Sequence, residues 1–286
     1  MPLNNSTSLG REEYLRKKRN RRRIKYLIIF LILTAGVSLS SYIAHRPSIR
    51  VSRIILSGGV LVTEEEVQMK SLDYMKGSHV WLYPKNNAIW YPRKSLEEYL
   101  KNTFKRIDTI SIHRENSRTL KIDITERKPL AIWCGEVRPS LNEGGNEATT
   151  PKCFFMDQNS TIFSTSPYFS GDAYFKYYGL VATDTPIGMQ YIASTTLFAE
   201  ISDFIETTRK LSLRPQYLIA KSEGEFSLVI SGGGEIYFDT KEPLSQASQN
   251  LESLLRTPAL STSTTRDLPI EYIDLRYGNK LFYKLK

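Results

Sequence analysis

The chain has 286 residues, 41% of them hydrophobic, and a formal net charge of +9. This length suits two domains. Residues 1–25 hold nine basic and two acidic residues, a charge of +7 that leaves only +2 for the rest of the chain. A nucleic-acid-binding body would carry its own basic face, so the position of the charge argues against that class of protein.

Residues 26–44 read YLIIFLILTAGVSLSSYIA and contain no charged side chain. A helix of this length spans about 30 Å of hydrocarbon. By the positive-inside rule, residues 1–25 form a basic cytoplasmic tail and the body is exported. The alternative is a cleaved signal peptide, but the apolar run is long and lacks a clear small-x-small site before His45. We therefore expect a single-pass plasma-membrane protein with a cytoplasmic N-terminus.

Residues 45–128 predict the element order β-α-α-β-β. A short linker and a strand precede Thr63, which opens a helix as an N-cap, with Glu66 completing a capping box. Pro92 suits the first turn of a second helix, whose apolar positions repeat through Ile107. A period-two hairpin follows. This set of elements can form a small independent core.

Residues 129–286 predict a mostly antiparallel β domain with two flanking helices. A meander covers residues 131–164, a helix covers 195–211, and Pro243 begins the second helix. The glycines at 232–234 fall between two strands and predict a hairpin turn. With the N-terminal transmembrane helix, the whole chain is predicted as α+β.

Cys134 and Cys153 each abut an apolar, strand-like run, and loop sequence rich in Gly, Glu and Pro lies between them. If the two runs pair antiparallel, the cysteines face each other at the mouth of the loop. Disulfides persist in exported proteins, so we predict one here. The alternative is two free thiols. Two cysteines without histidine partners do not indicate a metal site.

No catalytic, cofactor or metal motif is evident in the sequence. His45, His79 and His113 have no metal-ligand spacing to another His, Cys or acid. Asp157 is better explained as a turn former than as a general acid or base. The tyrosine-rich stretch 174–178 suits either a binding surface or half-buried sheet packing. The sequence therefore predicts a protein that is not an enzyme and has no small-molecule substrate.

The last 17 residues, IEYIDLRYGNKLFYKLK, are predicted to form a terminal strand, with a bulge at Gly278-Asn279 as an option. Its odd positions form an apolar row suited to a core: Ile273, Leu275, Tyr277, Leu281, Tyr283 and Leu285. Phe282 then projects among lysines. An exposed aromatic beside an unpaired edge suits docking of a partner strand, whereas lysines on an edge also serve to block pairing. The sequence leaves both open.

Two short motifs, TERKPLAIW at 125–133 and YIDLRYGN at 272–279, occur in a chain with a β-α-α-β-β unit behind a transmembrane helix. That unit looks like a POTRA domain. TERKPLAIW resembles the E-R-x-P-x-A-x-W stretch of the FtsQ/DivIB family of bacterial cell-division proteins, and YIDLRYGN resembles that family's Y-[IV]-D-L-R-[YF] motif. Phe155-Met156-Asp157 is similar to its strand–Asp–turn. The resemblance covers residues 20–286 in order, and the segment between the two cysteines departs from it.

The resemblance implies a non-catalytic divisome scaffold at the division septum that helps control septal cell-wall synthesis. FtsL/FtsB-type coiled-coil proteins would bind by strand addition at the C-terminal edge, with Arg276 and Tyr277 as contacts. Leu281, Phe282 and Tyr283 are added from the exposed-edge argument. One alternative is a POTRA-bearing accessory of envelope assembly or export. Another is an exported hydrolase with an unrecognised site.

Overall fold

A computed structural model gives the structure of the chain. It describes residues 6–79, 82–135, 152–167, 169, 173–181, 183, 185–222, 224–257 and 269–286. Side chains are described from residue 14 onward. The chain divides into two compact units. The N-terminal unit comprises the chain up to Leu100 with Thr109–Ile124, and the C-terminal unit comprises Lys101–Asp108 with Thr125–Lys286.

The chain begins with one long helix, α1 (Ser6–Ala44), which takes in most of the basic segment as well as the apolar run. Its part Tyr14–Ala44 is long and apolar enough to cross a membrane, and only 6% of its most apolar stretch is buried. Leu27 and Phe30 are among its exposed apolar side chains. The structure thus confirms an N-terminal helix that is long and apolar enough to span a membrane.

The N-terminal unit contains a three-stranded sheet, a two-stranded hairpin and two helices. Its elements are β1 (Arg53–Ser57), α2 (Glu64–Tyr74), β2 (Ser78–His79), β3 (Tyr83–Pro84), α3 (Arg93–Thr103), β4 (Ile107–Arg114) and β5 (Thr119–Glu126). The strand order is β1-β5-β4, with β1 parallel to β5. Ile107 begins a strand instead of continuing the helix before it. The last two residues of β5 and the first two of β4 belong to the C-terminal unit.

The start of α2 is capped by Thr63, which is the first half of the predicted capping box. The Thr63 hydroxyl accepts a hydrogen bond from the backbone N–H of Glu66 at 3.4 Å, which satisfies one free donor of the first turn. The neighbouring Glu64 carboxylate accepts from the N–H of Leu56 in β1 at 3.1 Å. The core below this helix is built from buried aliphatic side chains: Ile54, Val67, Leu96, Leu100, Ile112, Leu120 and Ile122.

The C-terminal unit is a nine-stranded sheet with two helices. Its elements are β6 (Ala131–Trp133), β7 (Cys153–Met156), β8 (Ile162–Ser166), β9 (Phe175–Gly179), α4 (Thr195–Lys210), β10 (Pro215–Ser222), β11 (Glu225–Ile230), β12 (Glu235–Asp239), α5 (Leu244–Leu255), β13 (Ile270–Tyr277) and β14 (Lys280–Leu285). The strand order is β14-β13-β12-β11-β10-β9-β6-β7-β8.

The large sheet is mixed: five of its eight strand pairings are antiparallel, as expected for most of the domain, and three are parallel. β9 lies between β6 and β10 and is parallel to both, and β12 is parallel to β13. Parallel neighbours require a crossover connection, and α5 lies in the connection between β12 and β13. The triglycine turn does join antiparallel strands, β11 and β12.

The helices α4 and α5 bury one face of this sheet. Phe204 of α4 packs on Phe238 of β12 with ring centroids 4.7 Å apart, and Phe238 stacks on Phe226 of β11. Ser194 caps α4 by accepting from the N–H of Leu197 at 3.2 Å. The core of the C-terminal unit therefore runs along one face of the sheet, from β8 to β13.

Candidate partner-binding edge

The C-terminal residues form a hairpin at the end of the nine-stranded sheet. β13 and β14 are antiparallel, and Tyr277 pairs with Lys280 across the two-residue turn Gly278-Asn279. The expected single strand is therefore wrong, because the chain reverses at Gly278, whose φ is +61°. A Gly-Asn pair between two strand-like runs is itself a hairpin signal. We refer to β13 and β14 together as the C-terminal hairpin.

β14 is the end strand of the sheet, and no described residue pairs with its outer side. Burial differs sharply between the two strands of the C-terminal hairpin. Ile273 and Leu275 of β13 are buried in the core as expected. Tyr277, Tyr283 and Leu285, expected in the same apolar row, are exposed. The alternation of side chains along a strand assigns each one to a face of the sheet. It does not tell whether another layer of the protein covers that face.

Two exposed aromatic side chains meet at the tip of the C-terminal hairpin. Tyr277 is 57% exposed and Phe282 is 50% exposed. Their rings contact edge-to-face with centroids 5.3 Å apart. Leu281 lies beside them, but it is half-buried and packs against the core. Of the predicted contact residues, Tyr277, Phe282 and Tyr283 are thus available to a partner, whereas Leu281 mainly supports the strand.

Arg276 is held by Asp274 instead of pointing freely outward. Its Nε and Nη2 donate to the two carboxylate oxygens at 2.8 and 2.6 Å, and its backbone N–H donates to Oδ1 at 3.2 Å. The guanidinium carbon also lies 5.4 Å from the ring centroid of Tyr237. A forked pair of this kind fixes both side chains. Asp274 and Arg276 therefore shape this face of the hairpin together.

The Asp274–Arg276 pair shifts the titration of both groups. Partial burial acts to raise the pKa of the Asp274 carboxyl, but the hydrogen bonds from Arg276 outweigh it and hold that pKa below its usual 3.8. The same hydrogen bonds raise the pKa of Arg276. Both groups are charged over the physiological pH range, so the pair is permanent there.

Helix α5 also holds the tip of the C-terminal hairpin, through a hydrogen bond from Asn250. The Asn250 side chain donates from Nδ2 to the carbonyl of Gly278 at 2.7 Å, and its Oδ1 accepts from Gln246 at 3.0 Å. On the strands, the Lys284 ammonium contacts the Glu271 carboxylate at 2.7 Å. These contacts hold the tip in one position although its aromatic side chains are exposed.

The opposite part of the sheet carries the disulfide. Cys134 and Cys153 are bonded, with Sγ atoms 2.04 Å and Cα atoms 4.2 Å apart. β6 and β7 pair antiparallel next to this bond, in the arrangement from which the bond was predicted. Residues 136–151, between the two strands, lie outside the described residues.

Sequence reasoning missed the cluster around Arg127. Its guanidinium contacts the Asp157 carboxylate and lies 3.2 Å from that of Asp108, and its Nε donates to the carbonyl of Lys105 at 3.1 Å. Asp157 also accepts from the N–H of Thr161 at 2.9 Å. Asp157 is thus a turn former, as expected, and also an ion-pair partner. Both ends of the pair belong to the motifs that carry the family resemblance, which was the available signal.

A cavity of about 620 Å³ lies between α4 and strands β9 and β10. Its acidic lining residues are Asp203 and Glu206, and Glu206 is paired with Arg209 one turn along α4. Within the described part of the chain, no three His, Cys, Asp or Glu side chains cluster as metal ligands. His113 contacts Ser111 on the same strand.

The tyrosine-rich stretch forms β9 and serves mainly in packing. Tyr177 is buried among Tyr191 and Phe198, with ring centroids within 6 Å of its own. Burial raises the pKa of both Tyr177 and Tyr191.

Comparison with known proteins adds no identity, since no family model matches the chain and no curated protein matches it.

Proposed function

We propose that this protein is a non-catalytic, bitopic scaffold of the bacterial divisome. In this proposal it takes up an FtsL/FtsB-type coiled-coil partner by strand addition at the C-terminal hairpin and helps control septal cell-wall synthesis. The observation that carries the proposal is the C-terminal hairpin, whose tip exposes the contacting pair Tyr277 and Phe282 beside the outer edge of the end strand β14. The motif resemblance supplies the class of partner.

The membrane part of the proposal is supported by α1. Its apolar side chains are exposed along the whole stretch of residues 26–39, and a soluble protein rarely leaves such a surface in water. The cluster of nine basic residues precedes this stretch, which favours a cytoplasmic N-terminus. The last residue of the helix, Ala44, is buried and its carbonyl accepts from Asn87. A helix end built into the folded unit favours an uncleaved anchor over a signal peptide.

The docking part of the proposal is supported by the shape of the C-terminal hairpin. An added strand gains main-chain hydrogen bonds from the edge, and side-chain contacts give specificity. Tyr277 and Phe282 are large aromatic side chains of the type that dominates binding energy at protein interfaces. Lys280 and Lys284 flank Phe282 and favour an acidic partner segment over self-association. Arg276, fixed by Asp274, gives that face of the hairpin a defined form.

The proposal is tested by capture of a co-expressed FtsL/FtsB-type pair by the full-length protein in detergent. We expect Phe282→Ala and Tyr277→Ala to weaken capture at least about tenfold each, the loss expected when an aromatic anchor is truncated. The matched control is Leu130→Ala, which removes another exposed apolar side chain of the C-terminal unit.

Capture that is unchanged in both aromatic variants would exclude strand addition at this edge. An equal loss of capture in Leu130→Ala would indicate that the variants act by reducing non-specific hydrophobic association. A fluorescent fusion to the N-terminus separates the scaffold from an accessory of envelope assembly. Midcell bands in dividing cells support the divisome assignment, and a uniform envelope signal contradicts it.

A further inference from the structure

We infer that a surface patch of the N-terminal unit lies in the headgroup region of the membrane that α1 crosses. The interfacial patch consists of Leu82, Tyr83, Ile89 and Trp90, in and directly after the β2–β3 hairpin. Its occupant is the bilayer itself, not a protein partner. The inference rests on the proposed membrane anchoring, and it adds that the exported body is seated on the lipid surface instead of hanging from a flexible tether.

Two hydroxyl groups near the end of α1 bond directly to the interfacial patch. The Ser40 hydroxyl and the Tyr83 hydroxyl are 2.8 Å apart, and the Ser41 hydroxyl donates to the carbonyl of Leu82 at 2.7 Å. Ser40 lies four residues before Ala44, the end of the uncharged run, which is about 6 Å of helix rise. If the run crosses the hydrocarbon, Leu82 and Tyr83 are level with its last turn.

The connection between α1 and the interfacial patch is also rigid. Asn87 is fully buried, donates from Nδ2 to the carbonyl of Ala44 at 3.1 Å, and accepts from the N–H of Ile89 at 2.8 Å. The N–H of Ala88 donates to the carbonyl of Ile49, just beyond the helix, at 2.9 Å. The linker expected between helix and strand is therefore paired with the patch segment, so the patch follows the depth of the helix.

The side chains of the interfacial patch suit the boundary between hydrocarbon and water. Ile89 is 54% exposed and Trp90 is 53% exposed, and Leu82 is exposed beside them. The rings of Tyr83 and Trp90 meet edge-to-face at 5.1 Å. Trp and Tyr are enriched at membrane interfaces, where an apolar ring and a polar atom are both accommodated. These side chains would otherwise form an apolar surface in water.

The segments that carry the interfacial patch are rich in basic residues. Residues 26–63 and 74–96 contain no Asp or Glu, and their cations are Arg46, Arg50, Arg53, Lys76, Lys85, Arg93 and Lys94. Of these, Lys76 pairs with Asp73 and Arg93 with Glu97, just outside the two ranges. Arg46 follows the uncharged run after His45, with its guanidinium 5.0 Å from the Tyr42 ring. The β4–β5 turn adds one charge of each sign beside Ile89, from Arg114 and Glu115. Basic side chains next to a span attract anionic lipid.

Tryptophan quenching in vesicles tests this placement on the full-length chain. The vesicles contain phosphatidylcholine and phosphatidylglycerol, with or without bromine near the headgroup end of the acyl chains. Trp81→Phe leaves Trp90 and Trp133, and Trp133 is buried in the C-terminal unit. We expect bromine to reduce the emission of this variant. Adding Trp90→Phe should abolish the reduction, because only Trp133 then remains.

Two further reporters in the background of both substitutions keep the outcomes distinct. Ile89→Trp repeats the measurement at a second patch position, and Phe30→Trp reports on α1. Quenching at position 89 as well as at Trp90 supports the inference. Quenching at position 30 without quenching at 89 or 90 means that α1 is inserted but the patch is not at the interface, which overturns the inference alone. The absence of quenching at all three positions overturns the membrane anchoring as well.

Discussion

The two ends of the nine-stranded sheet, at β8 and at β14, differ in how far their side chains are buried. At the β8 end, Ile162 and Phe163 are buried and the Arg106 guanidinium bonds to the Ser164 hydroxyl at 2.7 Å. At the β14 end, the aromatic side chains Tyr277 and Phe282 are exposed. Both are end strands of the same sheet, yet β8 begins with two buried side chains whereas β14 has none.

This difference distinguishes the β8 end, which serves the fold, from the β14 end, whose side chains are accessible to a partner. The β7–β8 region is fixed by the disulfide next to β7 and by the ion pair between Arg127 and Asp157. The C-terminal hairpin is fixed through its tip, by Asn250, and through the pair Asp274–Arg276, neither of which covers Phe282. An edge held in place but left uncovered is what strand addition requires.

The largest effect is expected from breaking the ion pair at the enclosed end. Arg127→Ala leaves the Asp157 carboxylate buried without its cation, which we expect to cost about 3–5 kcal/mol of unfolding free energy. Urea denaturation of the full-length protein in detergent micelles measures it. Arg127→Lys keeps the charge but not the guanidinium fork, and should lose less. Equal stability of Arg127→Ala and the unmodified protein would show that the pair contributes nothing.

The disulfide should give the next largest effect. Replacing Cys134 and Cys153 together by serine removes a cross-link between residues 19 positions apart, which we expect to lower stability by about 3 kcal/mol. Partner capture by the C-terminal hairpin should stay unchanged, because the bond lies at the other end of the sheet. A parallel loss of capture would mean that the two ends are coupled.

The Asp274–Arg276 pair should give a smaller, pH-dependent effect. Asp274→Asn removes the carboxylate and should cost about 1 kcal/mol at pH 7, since the pair is partly exposed. The folded-state pKa of Asp274 lies below its usual 3.8. Its contribution is therefore complete above about pH 4 and is lost as the pH falls through the folded-state pKa. The stability difference between the two proteins should shrink as the pH falls below about 4, through the folded-state pKa. A difference that does not change with pH in this acidic range would contradict the assignment.

The smallest effect on stability is expected at the open end. Phe282→Ala removes a half-exposed ring and its contact with Tyr277, which should cost at most about 1 kcal/mol. The same variant should show the large loss of partner capture expected from the proposed function. Thermal unfolding and capture measured on one preparation test this separation. Loss of capture in proportion to loss of stability would make the residue structural.

The elements of the C-terminal unit show which structural features can be predicted from local sequence. The apolar spacing of residues 195–211 predicts α4 (Thr195–Lys210) well, because helix signals are local. β9 was not predicted as a strand, since its two neighbours β6 and β10 are both distant in sequence and parallel to it. The turn at Gly278 was misjudged as a bulge, although the dipeptide favours a hairpin.

At the candidate site, the sequence predicted the exposure of Phe282 and the residues of the Asp274–Arg276 motif. It did not predict that Arg276 is paired with Asp274. Leu281 was expected both in the core-facing row and as a partner contact, and it packs against the core. The burial of Tyr283 was also wrong. Each of these depends on what lies above the strand, which alternation of side chains does not encode.

The sequence by itself determined the uncharged N-terminal helix with its basic flank, the helix start at Thr63 and the antiparallel hairpin at the triglycine turn. These follow from composition and from contacts between residues close in the chain. Only the tertiary structure decided the mixed strand order, the Arg127–Asp157 pair, the contact of α1 with Tyr83 and the exposure of the sheet end at β14. Those features depend on contacts between residues far apart in sequence, and on where the helical layer over the sheet ends.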